Sequence, residues 1–194
     1  LGQLPIGKQV RVLEGAVSAE RVPRPNVLSD SEREDDYPSL CVAPNDVLWC
    51  VWQSYTDGAE QLYVASSGVD GWAVPELVPG IRGDIYKSAC AWVDGRLWIV
   101  WAQFTDDDWD LHAVSLAGKR WSEPIALTSG KGADVEPALA ANGSTAVLVW
   151  QSTRGTHSDI RCRTLTGKVW GDAQFVTEAE GNDWFPQVTL ATDG

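Results

Sequence analysis

Apolar and polar positions alternate most clearly between Leu48 and Val64, where an apolar run (LWCVW) passes through a polar loop (QSYTDGAEQ) into a second apolar run (LYV). The pattern returns at Leu97 (LWIVWAQFTDDDWDLHAV) and again at Val147 (VLVWQSTRGTHSDIRCRT). The tryptophan closing each first run stands at Trp52, Trp101 and Trp150, two steps of 49 residues. Short apolar runs separated by Asp and Gly predict strand–turn–strand units. A period of this size in an all-strand chain predicts the four-stranded antiparallel blades of a β-propeller.

Each unit reads as four strands, A (inner) to D (outer). Strand A is expected from Tyr37 (YPSLCVA), Tyr86 (YKSACAWV), Glu136 (EPALAA) and Phe185 (FPQVTLA). Corners of Asp, Asn or Gly come next at Pro44-Asn45-Asp46, Asp94-Gly95, Asn142-Gly143 and Asp193-Gly194. Strand B is almost continuously apolar, as from Val47 to Trp52, which suits a strand covered on both faces. Strand C is expected at Gln61–Ala65, Leu111–Val114 and Ile160–Thr164, and strand D opens at Trp72, Trp121 and Trp170. Pro75 and Pro124 come after two of these tryptophans, and an outer edge is where proline does least harm.

The first 34 residues fit the scheme with Val10-Arg11-Val12 as strand C and Val22 to Leu28, with Pro25, as strand D. The expected units are therefore 1–34 (partial), 35–83, 84–133, 134–182 and 183–194 (an inner strand), all in one propeller domain. One strand B is missing from a ring of four. The chain is expected to be part of a larger propeller closed by further chain or by a second subunit; the alternative is a four-unit ring with one three-stranded blade.

Two family resemblances attach to these residues. Gln53-Ser54-Tyr55-Thr56-Asp57-Gly58 with Leu62-Tyr63, Trp109-Asp110-Leu111-His112 and Ser158-Asp159-Ile160-Arg161 resemble the TolB-type (WD40-like, or PD40) propeller repeat across roughly residues 35 to 194. The tryptophan-bearing end of each unit also resembles sialidase-type BNR repeats. Ser67-Gly68-Val69-Asp70-Gly71-Trp72 holds the residue types of their Asp-box at a different spacing. Sialidases rely on an arginine triad, a tyrosine nucleophile and a carboxylate. Arg82, Arg154, Arg161 and Tyr86 are present here, but no motif ties them together.

Charge and composition narrow the partners. A formal charge of −12 argues against nucleic acid and against an anionic membrane surface, and it fits cationic ligands, neutral ligands such as sugars, or simple solubility. No apolar run approaches the roughly 20 residues that cross a bilayer. The chain has no methionine, so it is expected to begin after processing or to be a fragment. The expected location is secreted, or the bacterial periplasm and cell envelope. Cys41, Cys50, Cys90 and Cys162 lack metal or haem spacing. Cys41 and Cys50 flank a short turn and read either as a cross-strand disulfide or as small buried hydrophobes.

Candidate chemistry keeps the same period. Asp35, Asp84, Asp134 and Asp183 recur in steps of 49, 50 and 49 residues, each three residues before a Pro or Lys of strand A. They read either as the rim of a Ca²⁺ or sugar site, or as loop aspartates that bond local backbone N–H groups. Tyr37, Tyr86, Trp109 and Trp184 read either as aromatics beside them, which over carboxylates suit a sugar or a cation, or as loop residues capping the core. Asp106, Asp107 and Asp108 read as metal ligands or as a solvated turn; Ca²⁺ is the one cofactor the pattern admits, and none is required. No nucleophile–base motif or phosphate loop is present. The expected function is a non-catalytic recognition or scaffold module with an acidic, aromatic face for a protein or glycan. The alternative is the propeller portion of a larger hydrolase, a glycosidase or peptidase, whose catalytic residues lie outside this chain.

Overall fold

The structure is a computed structural model that describes residues 8–13, 16–21, 27–29, 32–178 and 180–191. It separates into two units, Leu1–Asp30 and Ser31–Gly194. In the first, β1 (Lys8–Leu13) and β2 (Ala16–Arg21) form an antiparallel hairpin. Val10–Val12 falls in β1, but its partner strand comes earlier than the sequence pattern suggests. Residues 22–26 of that expected strand lie outside the described residues.

The second unit contains three blades. Blade I comprises β3 (Glu34–Ala43), β4 (Val47–Thr56), β5 (Ala59–Gly68) and an outer strand in two pieces, β6 (Gly71–Trp72) and β7 (Glu76–Leu77). Blade II comprises β8 (Ile85–Val93), β9 (Arg96–Thr105), β10 (Asp108–Ala117), β11 (Arg120–Trp121) and β12 (Ile125–Ala126). Blade III comprises β13 (Ala133–Asn142), β14 (Thr145–Arg154), β15 (His157–Thr166), β16 (Val169–Trp170) and β17 (Gln174–Phe175). All pairing within a blade is antiparallel, and one parallel bridge, Trp109 to Ala133, joins blade II to blade III. The outer strand pairs with strand C on either side of a break that holds Pro75 in blade I and Pro124 in blade II, residues that cannot donate to the ladder.

Turn chemistry explains the hairpins. Asp57-Gly58, Asp94-Gly95 and Asp106-Asp107 all have positive φ at both central positions, the type I′ geometry that matches strand twist. The three-residue turn Pro44–Asp46 ends with Asp46 at φ 60, a left-handed residue that an aspartate tolerates.

Blade stacking explains why strand B does not alternate. Trp98, Val100 and Ala102 of β9 face blade III with Leu148 and Trp150, whereas Leu97, Ile99 and Trp101 face blade I with Val51, Leu62 and Val64. Both sets are apolar because both faces are covered.

Each inner strand carries a β-bulge opposite the strand-B tryptophan. Register shifts between Asp36 and Ser39, between Tyr86 and Ser88, and between Val135 and Ala138. The bulged residues Tyr37, Lys87 and Glu136 have φ of 51, 53 and 57. Phe185, in the segment expected to be a fourth inner strand, shares this geometry with φ 53. That segment, residues 183–191, runs without strand partners and is held to blade III by Asp183 N–H donating to the Ser158 carbonyl (2.7 Å) and Asn142 Nδ2 donating to the Ala191 carbonyl (2.8 Å). The turn expected at Asp193-Gly194 lies outside the described residues. Among the described residues no sheet closes on itself, and no helix is long and apolar enough to cross a membrane.

All four cysteines are free. Cys41 pairs with Trp49 and Cys50 with Leu40, so the two thiols project from opposite faces of the sheet. The cross-strand disulfide between Cys41 and Cys50 is thereby ruled out by one residue of register.

Candidate functional site

A bulge inserts one residue, leaves it unpaired and re-aims its side chain. Holding a non-glycine residue at φ near 50° costs on the order of 1 kcal/mol, and such outliers are drawn to functional sites. Here the three bulged residues and Phe185 meet. The Lys87 ammonium lies over the rings of Tyr37 (5.6 Å to the centroid), Tyr86 (5.5 Å) and Phe185 (5.5 Å), all within cation–π range. It also ion-pairs with the Glu136 carboxylate through Oε2. The other carboxylate oxygen accepts a hydrogen bond from the Tyr86 hydroxyl at 2.7 Å. Tyr37 meets Tyr86 edge-on at 5.3 Å, and Tyr86 meets Trp109 at 6.2 Å.

Electrostatics here are set by burial. Glu136 is 8% exposed, so its charge needs the Lys87 ion pair and the Tyr86 hydrogen bond together. Partial burial, and then the neighbouring Glu136 carboxylate, push the Tyr86 hydroxyl well above the usual phenol range. Tyr37 and Phe185 are respectively 40% and 64% exposed. They present aromatic surface to solvent beside a buried charge pair.

The predicted aspartates separate into different environments. Asp134 is 1% exposed; Oδ1 accepts from Trp150 Nε1 at 2.8 Å and Oδ2 from Arg154 at 2.6 Å. Asp35 takes the matching place in blade I, opposite Ser54 as Asp134 is opposite Ser152, but its Oδ1 is buried without a partner. In blade II that place, opposite Gln103, belongs to Ile85. Asp84 sits one residue earlier and is exposed; its carbonyl accepts from Phe104 N–H at 2.8 Å. Counted from the bulges, Asp35, Asp134 and Asp183 lie two residues ahead and Asp84 three, which turns Asp84 out of the row.

Of the predicted aromatics, Tyr37, Tyr86 and Trp109 come together, while Trp184 is 59% exposed at the fourth segment. Asp106 and Asp107 are the central residues of a hairpin turn. Asp108 accepts from the N–H groups of Trp109 (2.9 Å) and Gly132 (3.2 Å), which ties the turn to the start of blade III. Among the described residues no group of three or more His, Cys, Asp and Glu side chains is placed to hold a metal.

Pattern reading alone misses Lys87, Glu136 and Phe185 as site residues. Their signal is the identity of the next residue in the chain. Tyr37, Glu136 and Phe185 each precede a proline, and Lys87 precedes Ser88 at the same place. Starting the second inner strand at Tyr86 displaces that row by one residue.

Neither the protein-family models nor the curated proteins contain a match. Solved structures do. An α-L-arabinofuranosidase from Fusarium graminearum, solved with an iminosugar inhibitor, aligns with TM-score 0.57 at 15% identity over 71% of this chain and 47% of its own. An α-L-arabinanase from Penicillium chrysogenum, solved with arabinobiose, gives 0.55 at 18% over 74% and 49%. A subtype N10 neuraminidase-like protein of a bat influenza A virus gives 0.52 at 9% over 79% and 47%. The chain spans just under half the length of each. These likenesses establish the fold: the chain is an incomplete β-propeller of antiparallel blades.

Proposed function

We propose that this chain is part of a β-propeller that binds a glycan where its bulged inner strands converge. The observation that carries the reading is the meeting of Tyr37, Lys87 and Glu136, one from each inner strand, with Phe185 of the segment that follows blade III. Exposed aromatic rings supply faces on which sugar C–H groups stack, and the ammonium and carboxylate supply a donor and acceptors for hydroxyls. The acidic chain excludes little from a neutral sugar, and the neighbouring structures include two captured with sugar-like ligands. Further chain or a second subunit completes the ring, and the working location is outside the cell or in the bacterial envelope. The sugar site calls on no cofactor. Calcium at Asp106–Asp108 is a separate proposal that a Ca²⁺ titration followed by thermal shift tests.

The Tyr86 hydroxyl donating to Glu136 supports a second reading, the propeller portion of a glycosidase, since a hydroxyl beside a carboxylate is a nucleophile–base arrangement. The raised Tyr86 pKa and the Lys87 charge on the same carboxylate both oppose proton removal, so binding is the better supported role. Calorimetric titration of the full chain with arabinobiose, other neutral oligosaccharides and sialylated ones tests both. Binding by the wild type, reduced tenfold or more in Glu136→Gln, is expected. No heat with any sugar at millimolar concentration overturns the glycan reading. Release of reducing sugar that disappears in Tyr86→Phe establishes the second in its place.

A further inference from the structure

We propose that the end of blade II farthest from the bulged residues binds a phosphate group, held between Arg96 and Arg120 beside Lys119. Arg96 opens β9 after the Asp94-Gly95 turn, and Lys119 and Arg120 come after the turn glycine Gly118 (φ 61) that ends β10. The register pairs Leu116 with both Leu97 and Trp121, and Ala117 with Arg120, which puts Arg96 on the other side of Ala117. Arg96, Ala117 and Arg120 therefore stand abreast on three adjacent strands and share one face of the sheet. Leu97, Leu116 and Trp121 alternate with them and pack on the core between blades I and II. The two arginines are two strand spacings apart, about 10 Å at the backbone, and the Ala117 methyl is too short to fill the gap. All three residues, with Lys119, Trp121 and Ser122, line a cavity of about 700 Å³.

The cations of this cleft are unpaired. Among the described residues none of the three has a carboxylate at ion-pair distance or a side-chain hydrogen bond, although the chain holds 27 acidic residues against 15 basic ones. Like charges gathered side by side repel, and a bound anion relieves that repulsion. The row is also peculiar to blade II. By the same register it reads Val47, Gly68 and Gly71 in blade I, and Thr145, Thr166 and Val169 in blade III. A packing need common to the blades therefore does not account for two arginines here. Ser122 Oγ already accepts from Ser115 N–H at 3.0 Å and donates to the Glu123 carbonyl at 3.1 Å, so the cations supply the donors. A guanidinium meets an oxyanion through paired N–H groups. A carboxylate offers both its oxygens to one such fork, whereas a phosphate group has three terminal oxygens and can be met from two sides. The site stands apart from the aromatic cluster and does not rest on the glycan reading. Arg96 lies six residues along β9 from Ala102, the partner of Tyr86, which is roughly 20 Å of strand.

The test follows thermal unfolding of the full chain in sodium phosphate, glycerol 3-phosphate, glycerate and sodium chloride at matched ionic strength. None of these probes carries a sugar ring, so the result is independent of sugar binding at the aromatic cluster. At ten times its dissociation constant either phosphate should raise the melting temperature by about 3–6 °C over chloride, and glycerate should not. Tighter binding of glycerol 3-phosphate than of inorganic phosphate identifies an ester as the source, and equal affinities identify the free ion; both support the site. In calorimetric titration Arg96→Gln and Arg120→Gln should each weaken binding about tenfold or more, whereas Lys168→Gln, at the matching turn of blade III, should leave it unchanged. Arg120 is exposed on a two-residue strand and makes no side-chain hydrogen bond among the described residues, so its variant probes the site in a folded chain. Equal melting temperatures in phosphate and chloride overturn the proposal. So does a phosphate effect that survives in the Arg96→Gln/Arg120→Gln double variant, or glycerate binding as tightly as glycerol 3-phosphate.

Discussion

Two rows of residues repeat along this chain with nearly the same period, and they behave in opposite ways. The strand-B row keeps one residue type, Trp52, Trp101 and Trp150, at 6%, 0% and 0% exposure. The bulge row directly opposite changes type at every step, Tyr37, Lys87 and Glu136, and Phe185 follows them with the same positive φ. A position whose neighbours are the same in every blade has one good solution, and indole is large enough to fill it. A position where different blades meet one another has no such constraint, and complementary types gather there. Sameness across repeats therefore marks packing, and variation at a strained backbone position marks the place to look for a ligand.

The contrast is broken most directly at Trp101. Trp101→Ala should cost about 3–5 kcal/mol in urea unfolding, as expected for a fully buried aromatic, while Tyr37→Ala should cost under about 1 kcal/mol. Equal costs at the two positions would remove the distinction between the rows.

Next in size is the aspartate row. Asp134→Ala leaves Trp150 Nε1 and the Arg154 guanidinium without their acceptor, and should destabilise by about 1–3 kcal/mol. Asp35→Ala removes a carboxylate whose Oδ1 already lacks a partner, and should be within about 0.5 kcal/mol of neutral. A comparable loss at both would show that the matched register hides a matched role.

Much of the fold is legible in the sequence. Trp52, Trp101 and Trp150 fix the period, Asp57-Gly58 and Asp94-Gly95 fix two of the turns, and the unbroken apolar run of β9 announces a strand covered twice. The site is legible only in part, because pattern reading assumes one residue of strand per residue of partner. The bulges violate that assumption. Aligning Asp84 with Asp35 looks natural in sequence, yet Ile85 holds the equivalent place. The Lys87–Glu136 pair joins residues from neighbouring blades, so no local spacing could disclose it.

Glu136→Gln sharpens the comparison from the other side. The amide keeps the shape and an acceptor for Tyr86 but gives up the ion pair. Lys87 is 29% exposed along its side chain and can turn to water, so the stability loss should stay near 1 kcal/mol. If sugar binds here, affinity should fall at least tenfold. A larger stability loss than at Asp134 would make this cluster a structural clasp.

The smallest effect is expected at Asp110, and its sign is what matters. Partial burial raises the Asp110 carboxyl above its ordinary value, with Asp134 and Asp108 adding to the rise and the Thr128 hydroxyl, bonded at 2.9 Å, opposing it. The folded state therefore holds this proton to a higher pH than the unfolded chain does. Between the unfolded and folded pKa values the native state binds more protons, so the Asp110 contribution to stability falls as pH rises and is lowest above that window. Asp110→Asn keeps an acceptor for Thr128 and carries no charge at any pH. The variant should match the wild type at about pH 3 and exceed it slightly at pH 7, read as the difference between two urea titrations. A variant less stable than the wild type at pH 7 but not at pH 3 would mean that the ionised carboxylate is favoured where it stands. The electrostatics of the blade II–blade III boundary would then be the reverse of those deduced from its burial.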